Sequence, residues 1–337
     1  MKVKISDLRA KIIELMSVNY TEEEAEKVAD YLVWADMCGI DTQGVIKMAG
    51  GTRLQSLKPE AAIETVRDTK LSRLLNAHSN PAPLVTQIGA EAAIEKAKEH
   101  GFGMVGINGT FSSNGALAYY TQKIAKQDLI GVVLARSPGS TTAFDSIDPL
   151  FGTNPISFAF PTTNDPIVFD MATSAMTFFG LVLAKAQGQD IPDDMAIDEY
   201  GNPTTDPDAA MSGAILPFDR GYKSSGLGMI VEMMGGPLVG ASFIDSVAGK
   251  GVQGKLGGEK GWGTLILAIS PDLLVDTDQY KQDATEFVNR IKASRKKSGI
   301  EEIRLPGERA AKAHAAAKKE GLVEIDDAVL KEIGWDI

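Results

Sequence analysis

Apolar residues in the first quarter of the chain recur with the spacing of an α-helix. Leu8, Ile12 and Leu15 fall on one helical face. Further along, Thr21 precedes three consecutive glutamates, which is a common helix start because a hydroxyl cap and acidic residues both favour the positive end of the helix dipole. The pattern predicts three helices, over residues 7–15, 21–37 and 44–57.

Beyond residue 80 the pattern changes to short apolar runs that alternate with helical segments. Strands are predicted over residues 102–107, 129–135, 156–160, 167–169 and 264–269. Helices are predicted over residues 81–101, 116–126, 173–186, 225–238, 278–298 and 310–320. Strands and helices that alternate in this way indicate a mixed α/β fold.

The composition is that of a folded globular protein, since 44% of the 337 residues are hydrophobic and 23% are charged. The formal net charge is −11, so the overall field repels nucleic acid, and an anionic substrate requires cations gathered locally. Because the sequence contains no apolar run of membrane-spanning length and no signal-peptide pattern, we expect a cytoplasmic protein without membrane partners. Its single cysteine, Cys38, excludes an intrachain disulfide, and no histidine pair has metal-binding spacing, so no metal is expected.

Two segments have the composition of ligand sites but lack the residue spacing or the following helix that such sites require. Residues 190–208 carry seven acids but lack the calcium-loop pattern, which favours a solvated excursion. Residues 249–254 spell GxGxxG, yet they continue into a glycine-rich stretch rather than a helix, which argues against a dinucleotide loop. The lysines there, Lys250, Lys255 and Lys260, fit either a flap that closes on an anion or an exposed linker.

Five segments, in this order, are similar to the malate/L-lactate dehydrogenase-like oxidoreductases. They are residues 39–45 (GIDTQGV), 114–120 (NGALAYY), 148–155 (DPLFGTNP) with 169–174 (FDMATS), 202–207 (NPTTDP) with Lys223, 226–228 (GLG) and Glu232, and 305–309 (LPGER). Each segment alone is a weak signal. Together they extend over nearly the whole chain, which makes the resemblance specific.

The resemblance implies a mixed α/β protein that binds NAD or NADP on a domain that is not a Rossmann fold. It divides the chain into a helical N-terminal region over residues 1–75, an α/β core region over 76–125 and 240–337, and a cofactor-binding domain over 126–239. It also implies a homodimer with its active site between domains. The residues that it places near the cofactor are Thr153, Asn154, Asp170, Met171, Ala172, Lys223, Gly307, Glu308 and Arg309.

The chain departs from the family pattern at the positions that normally bind substrate and move protons. Gln43 and Ser113 stand where the family places histidines, and Lys47 stands where it places an arginine. None of His78, His100 and His314 takes their place. We predict that Lys47, Gln43, Ser113 and Asp145 serve catalysis, and that Thr42, Lys47, Ser137 and Thr141 bind substrate. Tyr119, Tyr120 and an ordered water remain alternative proton donors.

Three functions follow from these departures. The first is hydride transfer between a nicotinamide cofactor and a small 2-oxo or 2-hydroxy acid, with the proton donor relocated to Lys47 or Asp145. The second is reduction of a cyclic imine acid, because a protonated imine needs no strong acid from the protein. The third is cofactor binding without catalysis. Phe178 and Phe179, where relatives often place basic residues, favour NAD over NADP.

Overall fold

A computed structural model describes residues 1–49, 53–243 and 260–335. The first two helices agree with the sequence pattern. Helix α1 (Ile5–Met16) buries Leu8 and Ile12, and α2 (Glu22–Met37) begins with a complete capping box between Thr21 and Glu24. These two helices pack against each other.

The helix predicted over residues 44–57 is wrong. The described part of that segment forms two short 3₁₀ helices, Val45–Met48 and Leu54–Ser56. Asp36 of α2 explains the first of them, since its Oδ2 accepts the N–H of Val45 at 2.9 Å. The chain therefore turns against α2 instead of continuing along an α-helical axis of its own.

Seven strands form the central sheet, in the order β2-β3-β4-β11-β5-β6-β7. Small sheets of two and three strands, β1-β12 and β10-β8-β9, lie outside it. The strands are β1 (Lys2–Lys4), β2 (Glu64–Asp68), β3 (Ser72–Asn76), β4 (Phe102–Thr110), β5 (Ile130–Ala135), β6 (Ile156–Phe160), β7 (Ile167–Met171), β8 (Ala196–Ile197), β9 (Pro203–Thr204), β10 (Ala214–Ile215), β11 (Trp262–Ile269) and β12 (Leu322–Glu324).

The remaining helices cover the two faces of the central sheet or lie at its margins. They are α3 (Ala82–His100), α4 (Ala118–Ala125), α5 (Phe178–Gln187), α6 (Pro207–Ser212), α7 (Tyr222–Gly235), α8 (Thr277–Lys292), α9 (Glu308–Glu320) and α10 (Asp327–Glu332). Val133 and Ile266 belong to the core cluster shared with α2, α3 and α4, whereas Val132 and Leu265 pack with Val231 of α7 on the opposite face.

The prediction of a mixed α/β fold is confirmed. Among the described strands of the central sheet, β3 and β4 form the only parallel pair, and every other neighbouring pair is antiparallel. A Rossmann fold requires a mostly parallel sheet, so this domain is of another type. The GxGxxG segment at residues 249–254 lies outside the described residues.

The register of the sheet brings most predicted site segments to one end. Trp262 pairs with Thr110, Thr264 with Ala135, and Ile156 with both Leu134 and Met171. The segments that follow β4, β5 and β7, and the one that precedes β6, therefore leave the sheet at the same end. These segments contain Ser113, Ser137, Thr141, Asp145, Thr153, Asn154 and Ala172.

The acidic segment at residues 190–208 folds into β8, β9 and the start of α6, with Ile191 buried beneath it. Six of its seven acids are exposed, and Asp198 is half-buried and accepts the backbone N–H groups of Tyr200 and Asn202. Within the described residues, no helix combines the length and the apolar character needed to cross a membrane.

Candidate active site

Lys47 lies on the 3₁₀ helix Val45–Met48 and is only 6% exposed. Its Nζ is 4.3 Å from the ring centroid of Phe179 and has no hydrogen-bond or ion-pair partner among the described residues. Burial alone lowers the pKa of Lys47 to about 7, with no contribution from a neighbouring described charge. A buried lysine without a counter-ion indicates a place for a ligand, since an unpaired buried charge is otherwise costly.

Asp36 and Gly44 fix the position of that 3₁₀ helix. Asp36 is buried, and burial raises the pKa of its carboxyl group to about 8. A Cβ atom added at Gly44 would lie 1.7 Å from Asp36 Oδ1, so only glycine allows this approach to α2. The backbone N–H of Lys47 donates to the carbonyl of Gly44 at 3.0 Å, which ties Lys47 to this junction.

Gln43 Oε1 and Thr141 Oγ1 are also buried without a hydrogen-bond partner among the described residues. Thr141 forms an antiparallel bridge with Phe151 and a parallel bridge with Ile215. The carbonyl of Leu216, which follows Ile215, accepts the N–H of Ala175 at 2.7 Å. Ala175 lies shortly before Phe179 in the chain. Backbone pairing therefore connects the Thr141 segment to the segment that presents Phe179 to Lys47. Thr42, also predicted to bind substrate, is half-buried beside Gln43.

The two predicted cofactor loops lie side by side. The N–H of Thr173 donates to the carbonyl of Thr153 at 2.9 Å, and the Thr173 hydroxyl donates to the carbonyl of Asn154 at 3.1 Å. Ser137 joins them, because its N–H donates to Asn154 Oδ1 at 3.1 Å and its hydroxyl lies 3.3 Å from that of Thr153. The sequence pattern included Thr173 in a motif but did not identify it as the contact between the loops.

A buried polar network attaches these loops to α7. Asn154 is fully buried with a positive φ of 39°, and its Nδ2 donates to Glu232 Oε2 at 2.9 Å and to the Gly228 carbonyl at 3.2 Å. Glu232 in turn pairs with Arg136 Nε at 2.9 Å. Asn154 therefore positions the predicted cofactor loop through its own side chain. The spacing of Arg136, Asn154 and Glu232 in the sequence does not reveal that these residues are in contact.

Other predicted cofactor residues lie around this core. Lys223 is exposed in the first turn of α7. Asp170 faces α4, where its Oδ2 accepts the N–H of Ala118 at 2.9 Å, whereas Met171 packs on the α7 side of the sheet and Ala172 follows it. That Lys223, Asp170, Met171 and Ala172 contact the cofactor stays a prediction.

The segment that contains Gly307, Glu308 and Arg309 lies beside the edge strand β7. Gly307 has a φ of 83°, and a Cβ there would lie 2.8 Å from the carbonyl oxygen of Val168. Glu308 pairs with Lys292, which lowers the pKa of Glu308, and Arg309 is exposed. No hydrogen bond joins this segment to Lys47 Nζ among the described residues.

The alternative proton donors are placed less favourably than Lys47. The hydroxyl of Tyr120 donates to the carbonyl of Asn114 at 2.7 Å, that of Tyr119 donates to Gln87 Oε1 at 3.2 Å, and burial raises the pKa of both tyrosines. Ser113 Oγ accepts the N–H of Gly115 at 3.1 Å. Asp145 is exposed on a left-handed turn with a φ of 61°.

Comparison with known proteins identifies the family. A family model described as malate/L-lactate dehydrogenase matches residues 3–334. The L-sulfolactate dehydrogenase of Methanothermobacter thermautotrophicus is 32% identical over 95% of this chain and 91% of its own. The NAD(+)-named ureidoglycolate dehydrogenase of Escherichia coli K12 is 29% identical over 93% and 89%. The solved Δ1-piperideine-2-carboxylate reductase of Pseudomonas syringae pv. tomato has a TM-score of 0.83 and 27% identity over 99% and 98%.

Proposed function

The chain belongs to the malate/L-lactate dehydrogenase family, and we propose that it transfers a hydride between a nicotinamide cofactor and a small 2-oxo or 2-hydroxy acid. The observation that carries this proposal is the buried, unpaired ammonium group of Lys47, on the segment that also carries Gln43. No described residue provides a counter-charge for Lys47, and an anionic substrate supplies one. The sheet end holding the paired loops around Thr153 and Thr173 supplies the adjoining cofactor site.

Lys47 can serve both the carboxylate and the reacting oxygen of such a substrate. Its ammonium group has three N–H donors, and the carboxylate and carbonyl oxygens of a 2-oxo acid lie on adjacent carbons. A pKa near 7 suits a general acid, because the group is substantially protonated yet still able to release a proton at neutral pH. In the reduction, Lys47 Nζ gives its proton to the substrate oxygen, and in the oxidation its neutral amine takes that proton back.

The described residues fit a nicotinamide dinucleotide at the loops joined by Thr173. The side chain of Asn154 holds its turn rigidly, which leaves the backbone of the turn available to the cofactor at the end of the sheet. The exposed Lys223 ammonium in the first turn of α7 suits a pyrophosphate. When bound, the cofactor supplies or accepts the hydride. We propose NAD rather than NADP from the sequence alone, since this chain has Phe178 and Phe179 where relatives often carry basic residues that would pair with a 2′-phosphate.

Reduction of a cyclic imine acid is the second candidate. Neither Gln43 nor Ser113 supplies a proton at neutral pH, and a protonated imine arrives with its own. In that reaction Lys47 remains charged and binds the substrate carboxylate only. The two candidates therefore differ in whether Lys47 must release a proton.

The test is turnover of purified protein with NADH or NADPH against pyruvate, oxaloacetate, sulfopyruvate and cyclic imino acids, followed by the loss of the reduced-nicotinamide absorbance. We expect turnover of a 2-oxo acid, with kcat/KM constant below about pH 7 and falling tenfold per unit above it, because reduction requires protonated Lys47. Lys47→Met should lower kcat/KM by at least ~100-fold. Lys47→Arg keeps a cation but cannot release its proton, so it should lower kcat much more than it raises KM.

Faster turnover of an imino acid than of every 2-oxo acid would establish the second candidate instead. Cofactor binding without turnover of any compound in the panel would contradict both candidates and leave a binding protein. A reduction rate that does not change between about pH 6 and pH 9 would exclude Lys47 as the proton donor.

A further inference from the structure

The buried part of the candidate site contains one positive charge without a described counter-charge. Lys47 provides it, and Phe179 lies across its Nζ. Arg136, the other buried cation at this end of the sheet, is paired with Glu232. Two further cations near this end, Lys223 and Lys260, are exposed, so Lys47 is the described residue there that offers a desolvated, unpaired charge to a ligand.

The ring that lies across Lys47 Nζ and the two buried unpaired polar atoms on the adjoining segments, Gln43 Oε1 and Thr141 Oγ1, all belong to uncharged side chains. The face of the Phe179 ring carries partial negative charge and therefore disfavours an anionic group placed over it, and the Gln43 amide has no net charge with which to neutralise a second anion. Thr141 Oγ1 is neutral and can donate one hydrogen bond. An N–H or O–H group on the substrate would satisfy Gln43 Oε1, whereas a second carboxylate would not.

We propose that this site selects substrates with a single negative charge, next to the reacting carbon, and with an uncharged remainder. The inference rests on the proposed function, because it concerns the substrate that Lys47 and Gln43 hold. One carboxylate neutralises Lys47, and a buried neutral pair is far less costly than a buried excess charge. A dianion would bring one negative charge into the site without a described cation to meet it.

The sharpest kinetic test compares oxaloacetate with 2-oxosuccinamate, in which the distal carboxylate is replaced by an amide of nearly the same shape. We expect kcat/KM to be at least ~100-fold higher for the amide, because a site that cannot pair a buried charge rejects it strongly. The amide N–H also meets the acceptor Gln43 Oε1. Equal turnover, or faster turnover of oxaloacetate, would overturn the proposal while leaving the proposed hydride transfer intact.

A binding measurement separates charge selection from catalysis. Oxamate and oxalate have the same size and differ by one charge. Calorimetric titration of each into the full-length protein with NADH present therefore measures the effect of that charge on affinity. We expect oxamate to bind at least ~30-fold more tightly. No difference between the two anions, including failure of both to bind, would overturn the proposal, whereas failure of every 2-oxo and imino acid to react would contradict the proposed function.

Adding a second cation should weaken the preference for the amide. Gln43→Arg adds a guanidinium to the segment that carries Lys47, and we expect it to lower the ratio of amide to dianion turnover by at least ~10-fold. Leu274→Arg is the matched control, because Leu274 is 92% exposed and follows β11 at the opposite end of the sheet, so the variant adds the same charge away from the site. An unchanged ratio in a folded Gln43→Arg protein, or an equal change in the control, would contradict charge selection at this position.

Discussion

Lys47 is held in surroundings that disfavour its own charge. A lysine loses hydration on burial, and among the described residues Lys47 gains only the Phe179 ring in return. The charged side chain is therefore a cost to the folded state, which release of its proton or a bound anion would relieve. Such a cost is typical of functional sites, where groups are arranged for a ligand rather than for stability.

Replacing Lys47 by methionine should stabilise the folded protein below pH 7. The pKa of Lys47 is about 7 in the fold and about 10.4 in the unfolded chain, so between these values the unfolded chain binds more protons. The wild-type free energy of unfolding should thus rise with pH across that window, by about 1.4 kcal/mol per unit. The advantage of Lys47→Met should be several kcal/mol near pH 6 and shrink towards pH 10.

Urea unfolding of both proteins at several pH values measures this difference. Asp36 has the opposite effect, because its folded pKa is raised to about 8, so its contribution is present below its unfolded pKa and is lost as pH rises to about 8. Subtracting the wild-type curve from that of Lys47→Met cancels the Asp36 contribution, which both proteins share. Parallel curves over the whole range would show that Lys47 is not desolvated in the fold.

At the scale of elements, the contact between α2 and the 3₁₀ helix Val45–Met48 determines where Lys47 lies. Gly44→Ala should lower stability by about 1–3 kcal/mol, because its new Cβ would overlap the carboxylate of Asp36. Displacing the helix should also lower kcat/KM by at least ~10-fold through misplacement of Lys47.

Gly226→Ala is the control for this prediction, since a Cβ at Gly226 in α7 meets no atom within 4 Å. Alanine is the better helix former, so this variant should be as stable as the wild type or slightly more so. Melting temperatures and steady-state kinetics of both variants make the comparison. Normal activity in Gly44→Ala would mean that the α2 contact does not position the site.

The sequence predicts elements well where local signals decide them and poorly where tertiary contacts do. The capping box at Thr21 and the left-handed glycine at Gly101 mark helix ends that the structure confirms. The helix predicted to begin at residue 173 begins only at Phe178, because Thr173 and Ala175 bond to other loops. Strands β2 and β3 are not predicted, since β2 is exposed throughout and has no apolar alternation.

The same distinction applies to the candidate site. Family motifs single out Gln43 and Lys47 in the sequence, because a changed residue inside a motif is visible without coordinates. Phe179 over Lys47, and Glu232 against Asn154, depend on contacts between residues far apart in the chain. No periodicity or spacing encodes such contacts, so only the fold reveals them.

At the scale of the whole molecule, α7 presents apolar side chains outward while its inner side holds the site. Met229, Ile230 and Met233 are exposed on one side of the helix, and Gly228 and Glu232 bond to Asn154 on the other. Clustered exposed apolar residues usually mark an interface. We propose that a second copy of the chain covers this face around a two-fold axis, in keeping with the homodimer that the family resemblance implies.

Sedimentation of the wild type should therefore show a dimer, and Met233→Asp should show a folded monomer, because a buried unpaired carboxylate opposes association. Leu274→Asp is the control, since Leu274 is 92% exposed and lies outside α7. The monomer should lose several-fold in kcat/KM, because α7 without a partner holds Asn154 and the cofactor loop less firmly. A wild-type monomer would contradict the dimer itself, whereas a dimeric Met233→Asp would place the interface on another face and remove the link between assembly and the site.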